Sequence, residues 1–95
     1  MKAIYNGQVV AESDKTVVIE GNHYFPPESI KQEFFMDSPL HSTCPWKGQA
    51  SYYHLKVEGE VLQDGAWYYP STSEMAKPIE GYIAFYAMKG VEVIS

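Results

Sequence analysis

The protein is a chain of 95 residues with a net charge of −5, and 15% of its residues are aromatic. This length is that of one domain, and an apolar fraction of 45% argues against disorder. The seven basic residues are scattered lysines, and arginine is absent. Nucleic acids and anionic membranes both require clustered basic side chains, so neither is an expected partner. We therefore predict a single domain over residues 1–95.

The cysteine content and the apolar pattern predict a cytoplasmic protein. A single cysteine can neither close a disulfide within the chain nor build a multi-cysteine zinc site. The first residues, MKAIYNGQ, lack the apolar core of a signal peptide. The longest apolar run, residues 82–88, is far too short to span a bilayer. The three histidines have no spacing typical of metal ligands, so we expect no metal and no other cofactor.

The first 25 residues predict an antiparallel meander. Asn6 and Gly7 supply the two positive-φ residues of a tight hairpin turn, the strongest short hairpin signal. Further turns are expected at 13–15 and 21–22. The predicted strands cover residues 2–5, 8–12, 16–20 and 23–25.

One short helix is predicted near residues 27–36. Pro27 suits the first turn of a helix, where its missing N–H costs nothing. Glu28 follows in the same turn, where a carboxylate interacts favourably with the helix dipole. Ile30 and Phe34 then fall on one face of the helix.

The second half of the chain predicts more short strands and few helical turns. Residues 49–57 alternate between apolar and polar, whereas residues 79–87 are apolar on both faces and predict a central strand. The remaining predicted strands cover residues 61–62, 65–69 and 91–94. Many short strands with closely spaced turns predict a mainly β domain of coiled antiparallel sheets, β-tent or barrel-like.

Several sequence blocks resemble one family. TVVIE, YFPPES, STCPWKGQASYY, GAWYYP and IEGYIAFY occur in this order. Together they are similar to the small bacterial family called domain of unknown function 427, whose hallmark is a Cys-Pro-aromatic-Lys-Gly loop. The resemblance implies a compact all-β domain similar to the β-tent fold, and it implies no known activity. The family sometimes carries a nucleotidyltransferase label, but the chain has no Gly-Ser motif followed by paired aspartates.

The loop HSTCPWKG, residues 41–48, concentrates the reactive residue types. Cys44 is a candidate nucleophile if a neighbouring cation or base lowers its pKa. His41 lies three residues before it and Lys47 three residues after it, so either could do so. The alternative is that Cys44 is a small buried apolar residue.

Lys47 is the candidate anchor of an anionic ligand, or alternatively a partner of Glu20, whose neighbours predict partial burial. A lysine that only covers Trp46 with its stem is the structural alternative. Aromatic side chains suit a sugar, a nucleobase or a flat heterocycle, although core packing is their commoner role. The candidate walls of such a pocket are Trp46, Tyr53, Trp67 and Tyr69.

Three functions therefore remain open. The first is the binding of a small anionic or aromatic molecule in a pocket lined by the CPWKG loop and the aromatic strands. The second is a thiol-dependent enzyme that uses Cys44, with His41 or Lys47 lowering its pKa. The third is a protein-interaction module without catalysis, with a homodimer as one partner arrangement.

Overall fold

A computed structural model describes all residues, Met1–Ser95, and contains nine β-strands. The strands are β1 Lys2–Tyr5, β2 Gln8–Glu12, β3 Val17–Ile19, β4 Asn22–Tyr24, β5 Phe35–Cys44, β6 Gly48–Val57, β7 Glu60–Tyr68, β8 Ile83–Phe85 and β9 Glu92–Ile94. Short 3₁₀ helices cover Pro27–Ser29, Gln32–Phe34, Glu74–Ile79 and Ala87–Lys89. None of the helices is long and apolar enough to cross a membrane.

All paired strands are antiparallel, which confirms the predicted mainly β class. A four-stranded sheet has the order β5-β6-β7-β8, a three-stranded sheet the order β2-β1-β9, and β3 pairs only with β4. The predicted turn between β1 and β2 is present, with φ of 50° at Asn6 and 79° at Gly7. No closed barrel forms, because the strands divide into three separate sheets.

The four-stranded sheet carries a hydrophobic core on each of its faces. Because successive side chains of a strand alternate, β6, β7 and β8 contribute to both cores. The first core joins this sheet to the three-stranded sheet and contains Ala3, Val10, Ala11, Phe25, Ile30, Leu55, Val57, Ala66, Ile83, Phe85 and Val91. The second core joins it to β4 and the 3₁₀ helix Glu74–Ile79 and contains Tyr24, Ala50, Tyr52, Trp67, Tyr69, Ala76, Ile79 and Ala84.

The segment predicted as one helix near residues 27–36 is not continuous. Two single-turn 3₁₀ helices lie there, and β5 already begins at Phe35. Ile30 between them is extended, with φ −85° and ψ 149°, and forms a β-bridge with Ala11. Burial of Ile30 against β2, to 8% exposure, outweighs the local helical pattern.

Several other elements differ from their predicted extents. The strands predicted separately over residues 61–62 and 65–69 form one strand, β7. Residues 41–48 are not one loop, because β5 runs to Cys44 and β6 starts at Gly48, which leaves a three-residue turn. The strand predicted over residues 79–87 is shortened to β8, which lies at the edge of its sheet. The first residue of the predicted strand, Ile79, belongs instead to the 3₁₀ helix Glu74–Ile79, which covers the second core.

Candidate functional site

A cleft of about 380 Å³ lies on the second-core side of the four-stranded sheet. The β3–β4 hairpin, the strands β6, β7 and β8, and the 3₁₀ helix Ala87–Lys89 contribute to it. Its lining consists of Asn22, Tyr24, Lys47, Tyr52, Trp67, Tyr69, Phe85, Tyr86, Ala87 and Met88. Most of these side chains are aromatic, and Lys47 is the one formally charged residue among them.

The aromatic walls are held in place by contacts with one another. Trp67 packs on Tyr86, with ring centroids 4.4 Å apart, and meets Tyr24 edge-on at 6.2 Å. Trp67 Nε1 also donates a hydrogen bond to the Tyr24 hydroxyl at 3.3 Å. Tyr52 stacks parallel to Tyr86 at 6.4 Å. These contacts form without a ligand, so the aromatic walls of the cleft are fixed by their own packing.

Burial raises the pKa of the tyrosines around the cleft. The pKa of Tyr24 and of Tyr69 is raised chiefly by desolvation. Desolvation also raises the pKa of Tyr86, and its interaction with Tyr52 adds to the rise. The three phenols therefore stay neutral at physiological pH and keep their hydroxyl protons.

Lys47 is a buried ammonium, only 5% exposed. Its Nζ donates to a carboxylate oxygen of Glu20 and lies 4.9 Å from the Trp46 ring centroid and 5.7 Å from that of Tyr69. Desolvation lowers the pKa of Lys47, but the hydrogen bond to Glu20 and the nearby tyrosines reverse this, so that its pKa is raised overall. The side chain is therefore charged at neutral pH.

The turn that carries Lys47 is fixed by its surroundings. Gly48 has φ of 123°, and a Cβ there would lie 2.8 Å from the Ser71 carbonyl oxygen, so the position requires glycine. The Ser73 hydroxyl donates to the Trp46 carbonyl at 2.5 Å, and the Ser73 N–H donates to the Lys47 carbonyl at 3.2 Å. The ammonium is therefore presented by a turn with little freedom to move.

Glu20 reaches Lys47 from the tip of the β3–β4 hairpin. It has φ of 55° and is followed by Gly21 at 79°, the backbone pattern of a two-residue hairpin turn. The predicted pairing with Lys47 is present, but the predicted partial burial is not, because the Glu20 side chain is 56% exposed. The tip of a hairpin lies at the surface, which the apolar residues before Glu20 do not indicate.

Cys44 lies at the end of β5, with its Sγ 3.9 Å from Lys47 Nζ. Desolvation raises the pKa of the thiol, but hydrogen bonds from the backbone of Trp46 and Lys47 and the Lys47 charge together hold it below its ordinary value. The thiol is half-buried and is not part of the cleft lining. The Cys44 thiol is therefore in contact with the Lys47 ammonium, but it does not itself line the cleft.

His41 is not brought to Cys44. Its Nδ1 lies 3.3 Å from the Ser51 hydroxyl and 3.4 Å from the Ala50 carbonyl oxygen. His41 and Cys44 both belong to β5, and side chains three residues apart on a strand point to opposite faces of the sheet. Of the two candidates for lowering the thiol pKa, only Lys47 is in contact with it.

Tyr53 lies on the first-core face of its sheet, away from the cleft. It stacks on Tyr68, with centroids 4.7 Å apart, and packs edge-on against Phe35. Burial first, and then Tyr68, raise the pKa of Tyr53 to about 12. The neighbouring residue Tyr52 lines the cleft instead.

The structure thus brings together most of the predicted site. Lys47, Trp67 and Tyr69 line the cleft, while Trp46, Cys44 and Glu20 contact Lys47 from outside the lining. The predicted site residues did not include the other seven lining residues: Asn22, Tyr24, Tyr52, Phe85, Tyr86, Ala87 and Met88. Tyr24 and Tyr86 could have been predicted from their positions. Each is an aromatic residue at or directly after the end of a strand, and binding residues are common on the loops that follow strands.

A serine, a histidine and an aspartate also meet where β5, β6 and β7 adjoin. The Ser38 hydroxyl donates to the Asp64 carboxylate at 2.5 Å, and the Asp64 N–H donates to His54 Nδ1 at 2.9 Å. The serine proton thus points at the carboxylate and not at the imidazole, which does not suit nucleophilic catalysis. These bonds lie beside the register irregularities of β5 and β6 and stabilise them. No three His, Cys, Asp or Glu side chains cluster as metal ligands.

Fold and cleft together define a small antiparallel β domain with one aromatic cleft that holds a buried lysine. The family model described as Domain of unknown function (DUF427) matches residues 1–94, and the chain belongs to this family. The predicted resemblance is thereby confirmed. No curated protein is similar enough to the chain to be matched.

Proposed function

We propose that the protein binds a small planar molecule with an anionic group in the aromatic cleft, with Lys47 as the anchor of that group. The observation that carries this proposal is a buried ammonium in an otherwise uncharged aromatic lining. Removing a charged group from water costs free energy, so a buried cation needs a compensating anion. Glu20 supplies this anion in the free protein, and the anionic group of a ligand would take over the same role. The volume of about 380 Å³ falls within the range of small-molecule sites.

The aromatic residues would hold the planar part of the ligand. The rings of Trp67 and Tyr86 border the cleft together with two residues that carry polar groups, Asn22 and Tyr24. A few convergent polar groups within an apolar lining are typical of sites that orient one ligand. Trp46 and Tyr69 contribute differently, since their rings lie beside the Lys47 ammonium and help to stabilise it.

A titration with a carboxylate probe tests this function. Indole-3-carboxylate added to ¹⁵N-labelled protein should shift the backbone signals of cleft residues such as Tyr24, Lys47 and Trp67, and leave those of Ala3 and Val10 in the first core unchanged. Indole-3-carboxamide is the control, because it has the same ring and no charge. It should bind at least about tenfold more weakly, as expected for loss of a charge-assisted hydrogen bond. Equal binding of the two probes, or binding of neither, contradicts the proposal.

A thiol-dependent activity is the second candidate function. The observation in its favour is the contact between Cys44 Sγ and Lys47 Nζ at 3.9 Å, together with the lowered pKa of the thiol. A larger thiolate fraction near neutral pH makes a cysteine a better nucleophile. His41 has no part in this candidate, because it contacts Ser51 and Ala50 instead.

The pH dependence of alkylation tests the thiol candidate. The rate of Cys44 modification by iodoacetamide should rise to half its maximum below the ordinary thiol pKa of about 8.5. In Lys47→Met the midpoint should move to higher pH, because the cation that stabilises the thiolate is lost. An unreactive thiol, or a midpoint that Lys47→Met leaves unchanged, contradicts this candidate. Cys44→Ser should retain indole-3-carboxylate binding if the protein only binds its ligand.

We also propose a cytoplasmic location, because a reducing environment keeps a lone cysteine as a thiol. A homodimer remains a prediction, made from the acidic composition and the many tyrosines. The structure adds exposed apolar side chains, of which Val18 and Met88 are 56% and 99% exposed. Met88 also lines the cleft, so such an interface would lie next to the ligand.

A further inference from the structure

We propose that Glu20 is an internal substitute for the ligand, and that the ligand's anionic group is a carboxylate that displaces it from Lys47. The inference rests on the proposed function, because it concerns the same cleft. It adds a chemical class for the anionic group and a residue that sets the affinity. In the free protein the Glu20 carboxylate accepts the Lys47 hydrogen bond, and on binding the ligand carboxylate takes its place.

The two partners of the ion pair are buried to very different extents. The Lys47 side chain is 7% exposed, whereas the Glu20 side chain is 56% exposed. Glu20 can therefore leave the pair and be hydrated at little cost, while Lys47 without an anion would be a buried and uncompensated charge. An ion pair with one solvated partner is suited to exchange of that partner.

The position of Glu20 allows this exchange without refolding. It lies at the tip of a hairpin whose strands share three residue pairs, Val17↔Tyr24, Val18↔His23 and Ile19↔Asn22. Asn22 and Tyr24 of the same hairpin line the cleft, so the ligand and Glu20 meet on one element. Rotation of an exposed side chain is sufficient to clear Lys47, and such rotations are fast.

The charges around the cleft favour a carboxylate over a phosphate. Lys47 is the only cation in the lining, and the chain contains no arginine. Phosphate sites in proteins combine several donors, such as an arginine fork or the N–H groups of a helix N-terminus. The nearby backbone N–H groups of Trp46 and Lys47 are directed at the Cys44 sulfur. A single ammonium matches a single negative charge, and in the free protein the Glu20 carboxylate already accepts a hydrogen bond from the Lys47 ammonium.

Glu58 offers a control for the backbone of Glu20. It has φ of 50° and precedes Gly59 at 83°, so that it occupies the same position of the same kind of hairpin turn. Glu58 is exposed and forms no ion pair. The positive φ of Glu20 is therefore a property of the turn, and the contact with Lys47 is what distinguishes the two glutamates.

Calorimetric titration of Glu20→Gln with indole-3-carboxylate at low salt tests the inference. Removal of the competing charge should tighten binding about fivefold, the factor that corresponds to ~1 kcal/mol for a partly exposed ion pair. Glu58→Gln should bind as the wild type does. Unchanged or weaker binding by Glu20→Gln overturns the inference, the latter because Glu20 would then be part of the ligand site.

The outcomes separate this inference from the proposed function. If neither the wild type nor Glu20→Gln binds indole-3-carboxylate, both the function and the inference are overturned. If the wild type binds and Lys47→Met does not, but Glu20→Gln gives no tightening, only the inference is overturned.

Benzoate and phenyl phosphate, which share a ring, test the ligand class. Tighter binding of phenyl phosphate overturns the assignment of a carboxylate.

Discussion

Replacing Lys47 by methionine is expected to weaken the binding of indole-3-carboxylate by about 10- to 100-fold, the value of a hydrogen bond to a charged group. The protein should remain folded, with a free energy of unfolding within about 1 kcal/mol of the wild type. Methionine fills the space of the lysine stem beside Trp46 and Tyr69. Glu20, the partner left behind, is 56% exposed and becomes hydrated, so no buried charge remains. Calorimetry and urea unfolding measure the two quantities.

Lys89→Met is the control for this experiment. Lys89 Nζ also lies over an aromatic ring of the cleft wall, 4.7 Å from the Tyr86 centroid, but the residue is exposed and outside the lining. The same substitution there should leave the affinity within about twofold. If Lys47→Met unfolds the domain, the lysine is structural. If it folds and binds the probe as the wild type does, the proposed anchor is wrong.

Replacing Trp67 by alanine is expected to lower the free energy of unfolding by about 3–5 kcal/mol. The side chain is 9% exposed, packs on Tyr86 and Tyr24, and donates a hydrogen bond to the Tyr24 hydroxyl. Its removal leaves a large cavity in the second core, and the Tyr24 hydroxyl loses the hydrogen bond that it accepts from Trp67. Since a small domain has a total stability of roughly 5–15 kcal/mol, this is a large fraction of it. Urea unfolding measures the loss, and binding of the probe should disappear with the wall.

Trp46→Ala is the comparison for Trp67→Ala. Trp46 is only partly buried and lies outside the cleft lining, so its truncation should cost less stability. A loss for Trp46→Ala equal to or larger than that for Trp67→Ala would contradict the packing described here. Trp67→Phe keeps a ring in the wall and removes the N–H, and its stability should lie between the wild type and Trp67→Ala.

The local prediction of the segment near residues 27–36 failed for a tertiary reason. Pro27 and Glu28 are correctly placed for a helical turn, and a single-turn 3₁₀ helix does begin at Pro27. Ile30 then pairs with Ala11, and the Lys31 N–H donates to the Val10 carbonyl. These contacts are with residues about twenty positions earlier in the chain, so no local pattern contains them.

The cleft face of β6 could not be chosen from the alternation alone. The pattern separates Tyr53, Leu55 and Val57 from Tyr52 correctly. It does not indicate which set faces the cleft, because both faces of this sheet are covered by other elements. A strand that is half-buried on a solvated sheet has one apolar face, whereas a strand between two cores has two.

The sequence by itself determined the mainly β class, the Asn6-Gly7 turn and the family, and it offered the pairing of Lys47 with Glu20 as one alternative. These depend on composition, on local turn chemistry and on the sequence motif that contains the Lys47 cation. Only the tertiary structure decided which aromatic residues surround that cation. Tyr24, Tyr52 and Tyr86 come from three separate parts of the chain and meet because β6 lies beside β7, β7 beside β8, and the β3–β4 hairpin packs on the same face. A cleft is made by the packing of elements, and packing depends on contacts between residues that are distant in sequence.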